Sequence, residues 1–226
     1  MGQVIIQEET TKNPLQLIGK EAGICWNADT TDKEKNIQRA KDCLDSGHGR
    51  TFEFPSVYMT LDGYSARVIR EFYTHIAGGP TRLQSSTRYI KYGNFDYVIP
   101  RSVLINQEAM DKYQWLMNQI SDTYKDLIAL NIPNEDISMI LPLGMTTIVV
   151  VKMNLRNLID MSRTRECNRA YWEFRILFKD IKKALSKYSE EWKYLINNCF
   201  YPKCMEYGFC PEKYPCGMKH FTKKLN

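Results

Sequence analysis

Three short stretches of this 226-residue chain gather side chains that can bind or polarise a ligand. The first is Ser46-Gly47-His48-Gly49-Arg50-Thr51-Phe52-Glu53. Glycine on both sides of His48 lets the backbone approach a ligand closely, although taken alone the segment reads more simply as a surface turn with a chance histidine. The second stretch is denser. It carries Arg67, Arg70, Glu71, Thr74 and His75, then Gly78, Gly79, Thr81, Arg82, Gln84, Ser85, Ser86, Thr87 and Arg88. Backbone N–H groups, hydroxyls and arginines in one loop can together satisfy phosphate oxygens. A polar connection between a helix and a strand has the same composition. The third holds Asn154, Arg156, Asp160, Arg163, Arg165 and Arg169, and runs into Ala170-Tyr171-Trp172-Glu173. Such a run usually means a salt-bridged helix pair. The alternative is an anionic ligand gripped by forked guanidinium contacts.

Other chemistries find little support. GxxxxGK[ST] is absent, and no GxGxxG follows a strand, so neither a P-loop nor a dinucleotide-binding βαβ unit is indicated. The three histidines, His48, His75 and His220, form no HExxH pair. Seven cysteines, an odd number, do not suggest a disulfide framework. Four of them lie in the tail, spaced Cys199-x4-Cys204-x5-Cys210-x5-Cys216. Zinc ligands usually come in closer C-x2-4-C pairs. The tail cysteines therefore rank first as reduced thiols in a packed terminal segment, second as a metal site and third as disulfides. No metal is expected.

The elements that must position these groups follow from periodicity. Val4–Ile6 reads as a short opening strand, and Lys33–Ser46 as a helix that Gly47 stops. Phe52–Leu61 has strand composition, weakened at Pro55, and Asp62-Gly63 is a turn signal. Ala66, Ile69, Phe72, Tyr73 and Ile76 recur at helical spacing until Ala77-Gly78-Gly79-Pro80. Tyr89–Tyr92 and Tyr97–Ile99 are strand candidates. A long helix spans Met110–Leu130, and Glu135–Leu141 is a second, shorter candidate. Thr147–Met161 is strand or helix, since Ile148-Val149-Val150-Val151 fits either period. Arg165–Tyr188 is helical, with Trp172, Ile176, Leu177, Ile181, Ala184, Leu185 and Tyr188 as its stripe. The expected fold class is α+β. A mixed N-terminal half joins a helical C-terminal half in a single domain over 1–226, with a Cys-rich tail at 199–226.

Composition sets the bounds. The charged share of 25% and apolar share of 43% are those of a globular chain rather than a disordered one. A net charge of +5 is mild for a dedicated duplex-DNA binder and suits a small phosphorylated ligand at least as well, while from charge alone a solvated surface is the plainer reading. No apolar run nears the roughly 20 residues of a spanning helix, and the N-terminus lacks the pattern of a signal peptide. The expected address is the cytoplasm, with neither nucleic acid nor membrane as partner.

Taken together and in order, the three stretches resemble the flavin-dependent thymidylate synthases, the ThyX family. Ser46-Gly47-His48 with Phe52-Glu53 is similar to the family's SGHxxxFE segment. Arg70–Tyr89 resembles the signature RHRxxSxNExSxRY: His75 matches its histidine, and Gln84, Ser86, Arg88 and Tyr89 match ExSxRY, with Gln in place of Glu. Leu141-Pro142-Leu143, Asn154-x-Arg156, and Arg165 with Arg169-Ala170-x-Trp172-Glu173 follow in family order. The ending Gly208-x-Cys210-x-Glu212 with Cys216-Gly217 is similar to a tail found in some members.

The resemblance implies a ThyX-like protomer and a homotetramer with each active site at a subunit interface. It implies that FAD reduced by NADPH works with methylenetetrahydrofolate to place a methyl group on C5 of dUMP, without attack by an enzyme cysteine. By position it makes Arg165 and Ser86 catalytic. It assigns the nucleotide to Glu71, Gln84, Ser86, Arg88 and Arg165, and the flavin to His48, Arg50, Glu53, His75, Asn154, Arg156, Asp160 and Arg169. Three family arginines are missing. Thr74 and Ile76 flank His75 in their place, Ser138 stands before Leu141-Pro142-Leu143, and the loop after His75 is two residues longer than the pattern. Arg82, inside that loop, is the available substitute cation. These departures motivate a second reading, alkylation of another pyrimidine nucleotide such as UMP or dCMP. A non-catalytic nucleotide- or RNA-binding module, or a metal-stabilised interaction protein built on the cysteine tail, are the readings from other classes.

Overall fold

The computed structural model of the chain describes residues 2–219. Its elements in order are β1 (Gln3–Ile6), α1 (Pro14–Cys25), α2 (Lys33–Asp45), β2 (Ser56–Ser65), α3 (Ala66–Phe72), β3 (Thr81–Gln84), α4 (Arg101–Leu104), α5 (Gln107–Ala129), α6 (Asn134–Ile137), β4 (Thr146–Asn154), α7 (Leu155–Arg165), α8 (Trp172–Tyr188), α9 (Glu190–Cys199) and α10 (Lys203–Tyr207). A single-turn 3-10 helix at Gly49–Glu53 precedes β2, and another, Ser138–Ile140, continues α6. The four strands form one antiparallel sheet in the order β1-β2-β4-β3.

The strand-or-helix ambiguity at Thr147 resolves by period. Thr147, Val149, Val151 and Met153 point into the core, while Ile148, Val150 and Lys152 point out, an alternation only a strand can present. At Asn154 the period changes at once from two to 3.6. The Asn154 side chain accepts from the Asn157 N–H, the Asn157 side chain returns the bond, and this capping box starts α7 with no loop between. Beneath the sheet, Val57, Met59 and Leu61 of β2 meet Leu15 and Ile18 of α1, Phe174, Leu177, Phe178, Ile181 and Leu185 of α8, and Trp192 of α9 in one buried cluster.

Several expectations change. The helical second half contributes β4, which pairs with both β2 and β3, so the sheet is drawn from both halves of the chain. Asp62-Gly63 is a bulge inside β2 rather than a turn: the register slips between Asp62 and Tyr64, and Gly63 takes φ +74°. The expected helix from Arg165 is two. α7 ends at Arg165, and α8 begins at Trp172. The α8 stripe is also rotated, since Phe174 and Phe178 enter the core whereas Trp172 and Ile176 line a groove of about 510 Å3. Tyr89–Tyr92 forms no strand, and Tyr97 makes only a single bridge to Met145. Glu135–Leu141 shrinks to α6 and the 3-10 turn that continues it. β3, α1 and α9 were not anticipated; the two glycines of α1 lower its helix propensity, but Pro14 opens it and Leu15, Ile18 and Ala22 bury its face.

α5 is unusual for its length. Of its 23 residues only Met117 and Tyr124 are buried. Trp115 and Leu116 stand exposed on it, and Leu83, Ile148 and Val150 stand exposed on β3 and β4.

Candidate active site

The most tightly organised polar group joins the end of α3 to the end of α7. Arg165, the last residue of α7, donates from Nε to His75 Nε2 at 2.8 Å. Its Nη1 reaches Glu71 Oε2 at 2.9 Å, and its Nη2 reaches Thr74 Oγ1 at 3.4 Å. The guanidinium lies 4.3 Å from the ring centroid of Phe174, a cation–π contact on its remaining side. Three side chains of one helical turn and one ring thus hold a single guanidinium. Because His75 Nε2 accepts, the imidazole is neutral and carries its proton on Nδ1. Burial, reinforced by the charges of Arg165 and Arg82, pushes the His75 pKa down to about 4. Thr74 spends its hydroxyl in this network, and Ile76 is exposed to solvent.

Arg82 does not face a ligand as the missing cation. Nη1 donates to the Tyr73 carbonyl and Nη2 to the His75 carbonyl, both at 2.8 Å, and the guanidinium lies over the Tyr73 ring. It closes the carbonyl end of α3, where a positive charge is favourable. The loop beyond His75 is seated on α7. Asn157 Nδ2 donates to the Ala77 carbonyl, and Gly78, at φ +71°, leaves no room for a Cβ, which would stand 2.6 Å from Asn157 Nδ2.

A second group forms along α7 and the 3-10 turn before β2. Arg156 Nη1 pairs with Glu53 Oε1 at 2.6 Å, and Arg50 approaches the other carboxylate oxygen at 3.6 Å. His48 caps the start of that turn, and Asn154 caps α7. A cavity of about 490 Å3 opens here, walled by Gly47, Gly49, Arg156, Asp160 and Arg163 among others. A smaller one of about 210 Å3 is lined by Thr74, His75, Ile76, Ala77, Asn157 and Asp160. Asp160, paired with Arg163 at 2.9 Å, borders both, so the two hollows adjoin along one face of α7. Of the residues expected at the flavin, Arg156 and Asp160 line the larger hollow and His75 and Asp160 the smaller, whereas His48, Arg50, Glu53 and Asn154 line neither. Arg169 lies elsewhere: it donates to the Tyr214 carbonyl at 2.7 Å and stands 3.7 Å from Glu212, held by the tail.

The third group is separate. β3 pairs Thr81 with Lys152 and Gln84 with Val149, so the loop after Gln84 leaves the end of the strand remote from Arg82 and His75. From Thr81 to Gln84 the strand advances by three residue steps, roughly 10 Å. Gln84 donates to Thr147 Oγ1, Ser86 Oγ accepts from the Arg88 N–H, and Arg88 pairs with Glu135 at 2.9 Å. Within one protomer, Glu71, His75 and Arg165 meet, while Ser86 and Arg88 do not join them.

The tail cysteines converge without an evident metal position. Cys167, Cys204, Cys210 and Cys216 all line a cavity of about 340 Å3 beside Arg163, Arg165 and Arg169. Burial, then the neighbouring thiols, raises the Cys204 pKa. Among the described residues all cysteines are free, and no three His, Cys, Asp or Glu side chains are gathered as a metal site. His220 lies outside the described residues.

Sequence reasoning passed over Phe174, the platform under Arg165, and the residues of α6 that hold Arg88. Leu177, Ile181 and Leu185 of the expected α8 stripe are buried as expected, but Phe174 and Phe178 take the places given to Trp172 and Ile176.

A family profile described as thymidylate synthase complementing protein matches residues 7–189. The flavin-dependent thymidylate synthase of Thermococcus onnurineus is 30% identical over 214 residues, covering 89% of this chain and 86% of that one. Its namesake from Pyrococcus furiosus is 28% identical over 230 residues, covering 95% and 92%. Among solved structures, thymidylate synthase X from Helicobacter pylori, crystallised with FAD and dUMP, superposes with a TM-score of 0.69 at 20% identity, covering 88% of this chain and 99% of that one. With a family profile spanning most of its length and a set of full-length relatives of one name, the chain belongs to the flavin-dependent thymidylate synthase family.

Proposed function

We propose that this chain is a flavin-dependent thymidylate synthase that methylates dUMP at C5, with FAD as cofactor and NADPH and methylenetetrahydrofolate as co-substrates. The observation that carries the reading is the fixed Arg165 guanidinium. A guanidinium has five N–H donors, and the contacts to His75, Glu71 and Thr74 occupy three. The remaining donors point a rigid positive group at the carbonyl oxygen of a pyrimidine. As negative charge develops on that oxygen, it meets a donor that need not reorganise. Neutral His75 serves by accepting from Nε, and Glu71 by fixing the rotation of the fork.

The residues along α7 fit a flavin dinucleotide. Arg50, Arg156 and Arg163 supply cations for a diphosphate beside a cavity long enough to continue past Asp160 to His75. Gly47 adds a left-handed backbone with open space where its side chain would be. When bound, the flavin supplies the two-electron reduction, and this chain supplies position and electrostatics. Arg88, with Ser86 and Gln84, is the nucleotide-binding loop. Its distance from Arg165 along β3 supports a site completed by a second protomer, and the exposed apolar faces of α5, β3 and β4 support a homotetramer.

The test is the visible spectrum of the purified protein with FAD, followed by anaerobic NADPH with and without dUMP. Flavin bleaching that dUMP accelerates is the expected result. Absence of flavin binding would return the chain to a binding module. Because Thr74, Ile76 and Ser138 replace arginines, the same assay with UMP and dCMP decides the second reading. Turnover with either of these and not with dUMP would establish it.

A further inference from the structure

Ser138 stands where the family carries an arginine, and the structure shows what that region does instead. The Ser138 hydroxyl donates to the Asn134 carbonyl at 2.8 Å, tightening α6. The Asn134 side chain then faces the nucleotide loop. Its Nδ2 donates to three carbonyls of that loop, Thr87 at 3.2 Å, Arg88 at 2.8 Å and Ile90 at 3.0 Å. Two N–H bonds shared among three acceptors hold a turn of backbone around one amide. The amide is itself fixed, because the Tyr124 hydroxyl donates to Asn134 Oδ1 at 2.6 Å. Tyr124, on α5, is fully buried. A flipped amide would turn its oxygen toward three carbonyl oxygens with no donor to meet it, so only one orientation satisfies the set. The adjacent Glu135 takes the Arg88 guanidinium at 2.9 Å.

We propose that Asn134, locked by Tyr124, is a positioning residue that sets the shape of the Ser86–Arg88 loop for its nucleotide. The inference rests on the reading of that loop as the nucleotide-binding element. Asn134 touches only loop backbone, so its effect on the reaction passes through Ser86 and Arg88. It belongs to nucleotide capture and leaves the Arg165 chemistry alone.

Asn134→Asp is the discriminating variant. It keeps size and the Tyr124 contact, and converts both donors into an acceptor facing three carbonyls. Asn134 is only partly buried, so the fold tolerates the change. The expected result is a rise of at least tenfold in KM for dUMP with kcat within about twofold, flavin retained, and faster amide hydrogen exchange across residues 85–91. Tyr124→Phe should move KM in the same direction by a smaller factor. An unchanged KM for Asn134→Asp, a loss confined to kcat, or unaltered exchange in the loop would overturn the proposal. Failure of the unmodified protein to turn over dUMP would instead strike the nucleotide reading, and the exchange measurement, which needs no turnover, separates the two.

Discussion

At the scale of single residues, the site turns on how one guanidinium is held. Arg165→Ala should keep flavin and fold but lower methyl transfer by about 100- to 1000-fold, the usual cost of removing one preorganised donor. Arg165→Lys should fall nearly as far, because an ammonium cannot satisfy His75, Glu71 and Thr74 and still present donors to a ligand. Single-turnover kinetics checks both. His75 yields a pH prediction with a definite sign. Its folded pKa of about 4 lies below the ordinary value of 6.5, so the unfolded chain takes up the proton first. The stabilisation is whole above about pH 6.5 and is lost as the pH falls from there to about 4. The thermal midpoint should decline across that window in the parent and decline less in His75→Gln, which keeps an acceptor for Arg165 but does not titrate. A His75 resonance titrating near 6.5 would contradict the acceptor role.

The elements explain what the sequence could and could not disclose. His48, Glu53, His75, Arg156 and Arg165 were singled out by ordered resemblance to a family, because pairs that meet in the structure, Arg156 with Glu53 and Arg165 with His75, lie far apart in the chain. β3 was hidden because Thr81-Arg82-Leu83-Gln84 is polar on an edge and exposes Leu83, so no buried alternation marks it. The bulge at Gly63 carries the same Asp-Gly signal as a hairpin turn, and only pairing with β4 separates the two. Arg82 carried the opposite lesson. Its charge suggested a ligand contact, yet two backbone carbonyls consume its fork. Arg82→Ala should therefore destabilise the α3–β3 connection by about 1–2 kcal/mol. Any loss of flavin affinity should follow that loosening, which denaturant unfolding set beside a flavin titration would reveal. Gly78→Ala should cost a similar amount, since it adds strain at positive φ and a clash with Asn157.

For the whole molecule, the apolar surface left uncovered is the main unspent feature. Trp115 at 64% exposure and Leu83 at 72% are costly to leave in water if the chain stays alone. Light scattering should give a tetramer, and Trp115→Glu should shift the assembly toward smaller species with loss of activity at low concentration. A monomer with full activity would remove the shared-site arrangement. No helix among the described residues is long and apolar enough to cross a membrane.

The direct passage from β4 into α7 at Asn154 bears on which changes of length this protein can survive. A residue gained or lost inside β4 would flip the later strand residues to the opposite face of the sheet, and one gained or lost inside α7 would turn every later position of that helix by about 100° about its axis. Arg165 would then face away from His75 and Asp160 away from the hollow it borders. Ala77 and Gly78 are seated on α7, but past Gly79 the connection is freer, because β3 re-enters the sheet by pairing with β4. Insertions should therefore be tolerated after Gly79 and lethal to function at Asn154.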